Sequence, residues 1–461
     1  MKITVQLIRL FLMFILLMSI ACQSPPPGDS SQDNPCDTSN LKKPKAGSNP
    51  ISLSTGAFSS GGTFTGKSIT ISSPIILDQK ATDLEIIVED DLDVNADIRL
   101  PQIVIKDRPP INITLVSLNK KVTIADGVVV GGGWSAPGST VKNRGRKGVD
   151  GGTIKIIGVN IDIRGKVEGN GGGIGGYVNI GNLRKAEGFG GDGGKGGKII
   201  LCALDSIHIG KSPGKLTPAS VISGYGGPGG YSTAQGSKLA KSEGGRGGPG
   251  GDVDIHGTDP TGADVQVFIE DTVKGGMGGG GGYSSAHANS VNRKSGDAKA
   301  NGGPGNKGGT VTFSQAIVMA LGNVAAGDGG AGRPGAAIGG YGAQGWKYIL
   351  VNGNKGGDAT ANGGQGGSEG TTPKIPTLLS GIVNGTPGRP GSGGQASAKA
   401  GNGGNAGKKS GSGGNSGIST AIGGSNGRLA PPPGLPDIKG PYKPIGPIGG
   451  PAQRAFQNGA K

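Results

Sequence analysis

The sequence GGDGGKGGKIIL, which runs from Gly190 to Leu201, contains both patterns that decide the fold. Its first part is a glycine run with a period of three, in which Asp192, Lys195 and Lys198 each follow a pair of glycines. Three residues per turn is the period of the polyproline-II helix, which has no internal hydrogen bonds. Glycine at two positions of three lets neighbouring backbones approach and pair laterally. We therefore predict packed polyglycine-II helices, with a flexible linker as the alternative that glycine-rich composition indicates.

The apolar end of this stretch belongs to a module that occurs four times between Gly151 and Gly367. Each copy has a β-like run after a double glycine, a second apolar run, a shorter third run, and then a glycine run that ends in Gly-Gly-Tyr. The third runs centre on Val167, Val221, Val273 and Val324, and the glycine runs end at Tyr177, Tyr231, Tyr283 and Tyr341. A unit repeated at this spacing is typical of a stacked architecture.

Composition restricts what can hold such a fold together. The 461 residues include 101 glycines, and 33% of them are apolar and 4% aromatic, which is too little bulk for a conventional core in a chain of this length. Backbone pairing must therefore supply much of the stability, together with a thin apolar layer from the strands. The net charge of +15 favours an anionic partner.

Residues 51–133 contain ordinary short β-runs, among them 84–88, 111–115 and 122–124, and no helical periodicity competes with them. We predict an all-β fold, a right-handed parallel β-helix-like solenoid of the pectate-lyase-like kind. Its glycine-rich segments would form polyglycine-II hairpins packed as a bundle, with no helices beyond a signal peptide. The alternative is an antiparallel sandwich that carries glycine-rich hairpins. The acidic run at 89–93 is interpreted as a solvated turn rather than a calcium site.

The N-terminus resembles a bacterial lipoprotein signal. Lys2 and Arg9 flank the start of an apolar stretch that ends just before Cys22 and is too short to span a bilayer comfortably. The resemblance implies that Cys22 is lipidated and becomes the mature N-terminus, although Ser19 stands where such signals usually have leucine. Gln23 follows the cysteine in place of the aspartate associated with inner-membrane retention, which favours the outer membrane.

These features divide the chain into six expected parts. They are a signal peptide at 1–21, a disordered tether at 22–50, β-rich N-terminal coils at 51–133, a glycine-rich repeat domain at 134–370, a glycine-rich C-terminal part at 371–428 and a proline-rich tail at 429–461. Cys36 lies in the tether and Cys202 on a predicted strand, and the two could pair under oxidising conditions.

Little in the sequence points to catalysis. His208, His256 and His287 lie in different modules without metal-ligand spacing, and there is no nucleophile elbow or phosphate loop. Asp162, together with other carboxylates, is expected of any polar outer face of a solenoid. We therefore expect no catalytic residues, no metal and no cofactor, and keep a polysaccharide lyase-like enzyme as a second alternative.

The period-three glycine runs between Gly131 and Gly427, which return through variable loops, resemble the polyglycine-II bundle of some phage tail-tip adhesins. In that family the loops at the end of the bundle set receptor specificity, so the resemblance implies a recognition surface there. Polyglycine-II bundles also resemble an insect antifreeze fold, which uses a flat face of small residues. Lysines and tyrosines interrupt such a face here, so ice binding is not expected.

The predicted site lies at that end of the bundle. If the modules stack in register, the tyrosines that end the glycine runs open polar, basic loops that converge on one surface with aromatic and cationic side chains. The candidate ligand-binding residues are Tyr177, Arg184, Lys185, Tyr231, Lys238, Lys241, Tyr283, Arg293, Lys294, Tyr341, Trp346 and Lys347. The bland alternative is that the tyrosines shield the glycine helices and the lysines keep the protein soluble.

The functional expectation is a non-enzymatic cell-envelope lipoprotein that acts as a surface adhesin or glycan-binding module. Its partners would be the membrane, through the lipid at Cys22, and acidic glycans or another cell surface, but no specific nucleic acid. The first alternative is a structural envelope or matrix spacer that binds nothing specific.

Overall fold

The structure is a computed structural model of the 461-residue chain. It describes residues 35–39, 41, 44, 51–53, 59–103, 105–257, 264–289, 296–338, 358–371, 388–400, 416 and 418–427. The chain divides into two compact units, Met1–Asn40 and Leu41–Lys461, and every described strand lies in the second. Cys36 and Cys202 are each disulfide-bonded. Cys22 and the expected signal peptide lie outside the described residues.

The second unit begins with coils of short strands. Successive coils each contribute two strands to one large sheet and a third strand to a second sheet. The strands of this part are β1 (Ile51–Leu53), β2 (Gly62–Gly66), β3 (Ile69–Ile71), β4 (Ile75–Ile76), β5 (Leu84–Val88), β6 (Leu92–Val94), β7 (Ile98–Arg99), β8 (Ile113–Ser117), β9 (Lys121–Ile124) and β10 (Val129–Gly131).

After β10, glycine-rich hairpins are inserted between the third strand of one coil and the first strand of the next. The hairpins carry further strands at their far ends, and these form a third sheet. The strands of this part are β11 (Thr140–Val141), β12 (Arg144–Gly145), β13 (Ile154–Ile163), β14 (Lys166–Glu168), β15 (Val178–Phe189), β16 (Ile199–Ile209), β17 (Ser220–Ile222), β18 (Ser232–Glu243), β19 (Val253–Gly257), β20 (Val265–Ile269), β21 (Thr272–Lys274), β22 (Ser284–Ala288), β23 (Asp297–Asn301), β24 (Val311–Ser314), β25 (Ala316–Ala320), β26 (Asn323–Ala325), β27 (Gly335–Ile338), β28 (Ala359–Asn362), β29 (Ala396–Lys399) and β30 (Ser419–Ile422).

Equivalent residues of the modules lie in register. Ile154 pairs with Ile199, Ile199 with Val253, and Val253 with Val311. The third strands align in the same way at Val167, Val221, Val273 and Val324. Among the described strands every pair is parallel except β11–β12. The predicted all-β parallel solenoid is therefore confirmed, and the antiparallel sandwich is excluded.

The interior of the coils is filled by isoleucine, valine and leucine. Alternate residues of each strand point inward, as Ile156, Leu201 and Ile255 do, and these three side chains are fully buried. One continuous apolar cluster extends from Ile69 to Val324. Burying one such side chain stabilises the fold by about 1.5–3 kcal/mol, so this solenoid is the conventional core of the molecule.

The glycine-rich segments form a bundle that is two helices thick. We call the segments 134–138, 169–177, 223–231, 275–283, 326–334 and 388–395 the outgoing layer, and 146–152, 190–198, 244–252, 302–310 and 363–371 the return layer. Two of every three N–H groups bond sideways. Gly193 N donates to Arg246 O in the next return segment at 2.8 Å, and Gly194 N donates to Gly173 O in the outgoing layer at 2.8 Å. This lateral pairing confirms the predicted packed bundle and excludes a flexible linker here.

Beyond the bundle, strands replace the expected loops. β15 and β18 each run continuously through twelve residues, and the buried positions of β18 alternate along its length. Their inward residues are small, and Ala240 and Ala300 belong to a second buried cluster composed mostly of alanine. Alanine, serine and glycine gave no apolar signal in the sequence, which is why the expectation of loops was wrong.

No described residue lies in an α-, 3₁₀- or π-helix, and none of the described segments is a helix that could cross a membrane.

Candidate functional site

The two layers of the bundle have opposite outer faces. Because paired glycines face the neighbouring helices, every third residue of a segment points outward. The outgoing layer presents three rows of such residues, whose alignment follows from the backbone hydrogen bonds. The row next to the solenoid is Gln102, Trp134, Gly171, Tyr225, Met277, Asp328 and Arg389. The middle row is Pro137, Ile174, Pro228, Gly280, Ala331 and Ser392, and the distal row is Tyr177, Tyr231, Tyr283, Pro334 and Gln395.

The outgoing layer thus exposes large apolar side chains to solvent. We call the following set the aromatic face: Trp134, Ile174, Tyr177, Tyr225, Tyr231, Met277 and Tyr283. Each of these residues keeps 40% to 50% of its surface exposed. Scattered exposed apolar residues are ordinary, but a set aligned in neighbouring rows of one layer is typical of a recognition surface.

In the distal row the rings of Tyr177 and Tyr231 stack on each other. The ring centres of Tyr177 and Tyr231 are 5.3 Å apart with an angle of 17° between the planes. Lys106 Nζ lies 5.9 Å from the centre of the Tyr177 ring. The facing sides of this ring pair are therefore in contact with each other, and the Tyr177 ring also contacts a cation.

The row next to the solenoid contains a different aromatic arrangement. A Cβ placed on Gly171 would meet the Trp134 ring at 2.3 Å, so the indole covers the backbone of Gly171. Glycine is required here because any side chain would displace the tryptophan. Ile103 N donates to Trp134 O at 2.9 Å and Ser135 N donates to Gly171 O at 2.8 Å, which fixes the segment that carries the indole.

Beside Trp134 lies a shallow cleft of about 260 Å³. It is lined by Gln102, Ile103, Trp134, Ser135, Pro137, Gly172, Ile174 and Pro228. None of these side chains is charged. Ser135 is only 3% exposed, and its Oγ has no hydrogen-bond partner among the described residues. A small, mostly apolar cleft with a few polar groups is the usual form of a ligand site.

The return layer has a charged outer face whose charges pair internally. Lys195 Nζ lies 2.7 Å from Asp252 Oδ2, and Lys147 Nζ lies 2.7 Å from Asp150 Oδ1. Burial raises the pKa of Asp252, but hydrogen bonds from Lys195 and Thr310 outweigh it and lower that pKa below its usual value. This face is therefore largely neutralised.

The predicted site residues are spread over different surfaces. Tyr177, Tyr231 and Tyr283 form one row, as the repeat indicated, but Pro334 rather than Tyr341 occupies the equivalent position in the fourth module. Lys241 lies on the strands that lead into the return layer, 3.0 Å from Glu243 and 5.0 Å from the Phe189 ring centre.

The other predicted residues lie elsewhere on the distal strands or outside the described part. Arg184 and Lys185 on β15 and Lys238 on β18 are exposed, away from the tyrosine row. The positions outside the described residues are Arg293, Lys294, Tyr341, Trp346 and Lys347. Sequence reasoning missed Trp134 and the cleft beside it. Trp134 could have been found from the sequence, because it follows Gly131, Gly132 and Gly133 at the point where later modules begin their outgoing glycine segments.

The strongest charge cluster lies on the outer face of the solenoid. Asp162 accepts hydrogen bonds from Lys121 Nζ at 3.0 Å and Arg164 Nη2 at 2.7 Å, and lies 3.1 Å from His208 Nδ1. Burial raises the pKa of Asp162, but these partners prevail and lower it to about 2. Because cations surround the carboxylate, it has no free oxygen to hold a metal, and no group of metal-ligating residues occurs in the described part of the chain.

Comparison with known proteins adds little to this picture. No protein-family model matches the sequence, and no curated protein is significantly similar to it. Among solved structures, the chain is similar to the nine polyproline type II helical bundle springtail antifreeze protein from Granisotoma rainieri, with 19% identity over 64% of this chain and 99% of that chain. The TM-score is 0.11, and a likeness at this level carries no argument about the fold or function.

Proposed function

We propose that the protein is a non-enzymatic, lipid-anchored cell-envelope protein that binds neutral glycans through its aromatic face. The observation that carries this proposal is the Trp134 cleft, in which an exposed indole adjoins uncharged groups only. Sugar rings combine an apolar face of C–H groups with a rim of hydroxyls, so they suit an aromatic surface with neutral hydrogen-bonding groups.

The regularity of the face supports binding of a chain of sugars rather than a single one. Outward residues recur every three residues along each helix, about 9 Å apart at a rise of about 3.1 Å per residue. Tyr225 lies in the same row as Trp134, and the distal tyrosines form a parallel row beyond the middle row of Pro137, Ile174 and Pro228. Several weak contacts on one rigid surface add up through effective concentration.

The charge distribution favours neutral over acidic glycans at this surface. Lys195 and Lys241 are paired with carboxylates and Lys238 lies on a distal strand. Lys106 lies over the Tyr177 ring, but no charged side chain lines the Trp134 cleft. The expectation of acidic ligands came from the net charge and from the basic residues of the expected loops. The aromatic face supports the neutral class, and the distal basic residues supply the competing hypothesis.

The test is glycan binding by the purified protein, first on an array and then by titration with a soluble neutral polysaccharide. We expect Trp134→Ala to weaken binding at least tenfold. Phe268→Ala is the matched control, because this exposed aromatic residue lies on the solenoid outside the aromatic face. Unchanged binding in Trp134→Ala would contradict the proposal.

A charge-reversal variant of Lys238, Lys241, Arg293 and Lys294 separates the two ligand classes. We expect it to bind neutral glycans as the wild type does. Loss of all glycan binding in this variant, with none lost in Trp134→Ala, would transfer the function to these four basic residues. If neither variant matters and no glycan binds, the spacer role remains.

A further inference from the structure

The bundle ends with two residues that interrupt its pattern of paired glycines. Among the described residues, 388–395 is the last outgoing segment, and 423–427 is one further return segment. Pro390 and Asn426 occupy positions in these segments where earlier segments have glycine. Both positions belong to the side of the segment that would face a further coil.

Pro390 removes a hydrogen-bond donor from the end of the outgoing layer. In earlier segments the equivalent residue is a glycine whose N–H bonds to the next coil. Gly278 N donates to Asp328 O at 2.7 Å, and Gly329, which follows Asp328, donates from its N to Arg389 O at 2.6 Å. Pro390 follows Arg389 and is the next member of this series, but proline has no N–H.

Asn426 satisfies the other donor at this end. Three residues further along the earlier segments a second glycine bonds to the next coil, as Gly332 N does to Ser392 O at 2.8 Å. Gly393, which follows Ser392, is the next member of this series, and its N–H donates to Asn426 Oδ1 at 2.9 Å. A side-chain amide therefore replaces the carbonyl that a further coil would supply.

Asn426 also occupies space that a further coil would need. Gly366 is the equivalent residue of the preceding return segment, since its N donates at 2.9 Å to the carbonyl of the residue before Asn426. A Cβ on Gly366 would lie 2.0 Å from Gly391 O in the next outgoing segment. Beyond the last return segment this space is open, because the nearest atom to a Cβ added at Gly423 is 3.8 Å away. A further segment packed in the same register would clash with the Asn426 side chain.

We propose that Pro390 and Asn426 close the end of the bundle against a second copy of this chain. An exposed edge of glycine helices presents backbone N–H groups that no side chain covers, so it is a template for lateral pairing with another chain. One residue removes such a donor, and the other satisfies a donor and blocks the approach. Replacing both with glycine would restore the edge that every earlier segment offers to its successor.

The partner that fits an opened end is the same end of a second copy. The opposite end of the outgoing layer is covered by the coil before it, because Ile103 N donates to Trp134 O at 2.9 Å and Asp107 N donates to Pro137 O at 3.2 Å. Head-to-tail pairing is therefore blocked, and two opened ends would pair about a two-fold axis. This inference does not depend on glycan binding, since it uses no residue of the aromatic face.

The test opens this end and measures self-association of the purified full chain by analytical ultracentrifugation. The opened variant carries Pro390→Gly and Asn426→Gly. Its matched control carries Pro304→Gly and Ser425→Gly, which add the same number of glycines at outward positions of the bundle. We expect the opened variant to dimerise roughly tenfold more tightly than the control and the wild type. Equal sedimentation of the opened variant and the control would overturn the proposal, and so would equally tight self-association of the wild type.

A second variant decides the role of Asn426 even if the opened chain folds poorly. Asn426→Ala removes the acceptor of the Gly393 N–H but keeps a Cβ at the blocking position. We expect a monomer in which amide hydrogen exchange at Gly393 is faster by roughly tenfold or more, while Gly332, which bonds within the bundle, stays protected. Unchanged exchange at Gly393 would show that Asn426 does not satisfy this donor and would overturn its assignment.

Discussion

The solenoid and the glycine bundle are built from the same coils but are stabilised in opposite ways. In the solenoid, Ile156, Leu201 and Ile255 fill the space between strands with buried side chains. In the bundle, the segments approach until no side chain fits, since a Cβ on Gly193 would lie 1.9 Å from Gly227 O. The first region depends on side-chain volume, and the second depends on its absence.

The distal strands are an intermediate case that shows what the difference means. There Ala240 and Ala300 are fully buried and belong to the alanine cluster. Isoleucine, glycine and alanine therefore fill successive parts of one continuous stack of coils. Side-chain size sets the separation of the layers, while the parallel backbone pairing between coils is kept throughout. The aromatic face lies on the glycine part, where the backbone itself forms the layer.

The largest effect should come from adding volume to the bundle. We expect Gly193→Val to destabilise the protein by more than about 4 kcal/mol or to prevent cooperative folding, because the branched side chain would separate three helices and leave their hydrogen bonds unmade. Denaturant unfolding followed by circular dichroism measures this.

Gly181→Ala is the control for that substitution. Gly181 is an exposed glycine on β15, and nothing lies within 4 Å of a Cβ added there. We expect a change within about 0.5 kcal/mol. Equal unfolding curves for Gly193→Val and the wild type would disprove a packed bundle and remove the contrast between the two regions.

The solenoid should respond to the reverse change. We expect Leu201→Ala to lower the free energy of unfolding by about 2–5 kcal/mol, because the fully buried side chain leaves a cavity. Leu204 on the same strand is 39% exposed, and Leu204→Ala should cost under about 1 kcal/mol. If both substitutions had the same small cost, the solenoid would not depend on its apolar core.

The sequence predicted these two regions for different reasons. The coils were visible because Ile154, Ile199, Val253 and Val311 recur at one place in each module and do pair in register. The bundle was predictable because a disordered glycine-rich sequence has no reason to place one other residue after every pair of glycines, as at Asp192, Lys195 and Lys198. The distal strands were not visible, since alanine is buried there only because the adjoining glycine helices bring the layers close.

The site was predicted less well than the fold. The row of Tyr177, Tyr231 and Tyr283 was predicted from the repeat. The Gly-Gly-Tyr motif predicted Tyr341 for the fourth position of this row, but the backbone hydrogen bonds put Pro334 there. Trp134 meets Gln102 and Ile103 only because these belong to the preceding coil, and coil length cannot be read from one sequence. The buried, unpartnered Ser135 could not be found at all, because burial is a property of the packed fold.

An ion-paired carboxylate on the solenoid should make a smaller contribution to stability, and that contribution depends on pH. The partners of Asp162 on the solenoid lower its pKa to about 2, from an ordinary value of 3.8. A depressed carboxyl pKa adds stability above the unfolded value, and this stability is lost as pH falls from about 4 to about 2. We expect Asp162→Asn to remove roughly 2 kcal/mol of the pH dependence in that window. Parallel wild-type and variant stability profiles between pH 5 and pH 2 would show that Asp162 is not stabilised by its partners.

The bundle has its own polar problem, which is the third N–H of each turn. In each turn the two glycine N–H groups bond to neighbouring helices. The N–H of the outward residue has no backbone partner and needs an acceptor of another kind. Proline, which has no N–H, occupies several of these outward positions, as at Pro228, Pro249 and Pro304. Elsewhere an aspartate of the preceding coil accepts the bond, as Asp192 Oδ1 does from Arg246 N at 2.8 Å.

Proline and an aspartate acceptor are thus two solutions to the same unpaired N–H, and this gives the smallest and most specific prediction. Asp192→Ala should lower the free energy of unfolding by about 0.5–1.5 kcal/mol, because Arg246 N–H exchanges its partner for water at a crowded surface. Arg246→Pro should add back about 0.4–1 kcal/mol, since the polyproline-II backbone already has the φ that proline requires. In the Arg246→Pro background, Asp192 has no N–H at residue 246 from which to accept, so adding Asp192→Ala should cost nothing further. A double-mutant cycle by urea unfolding measures the coupling. Purely additive effects would show that Asp192 stabilises the bundle by some means other than the outward N–H.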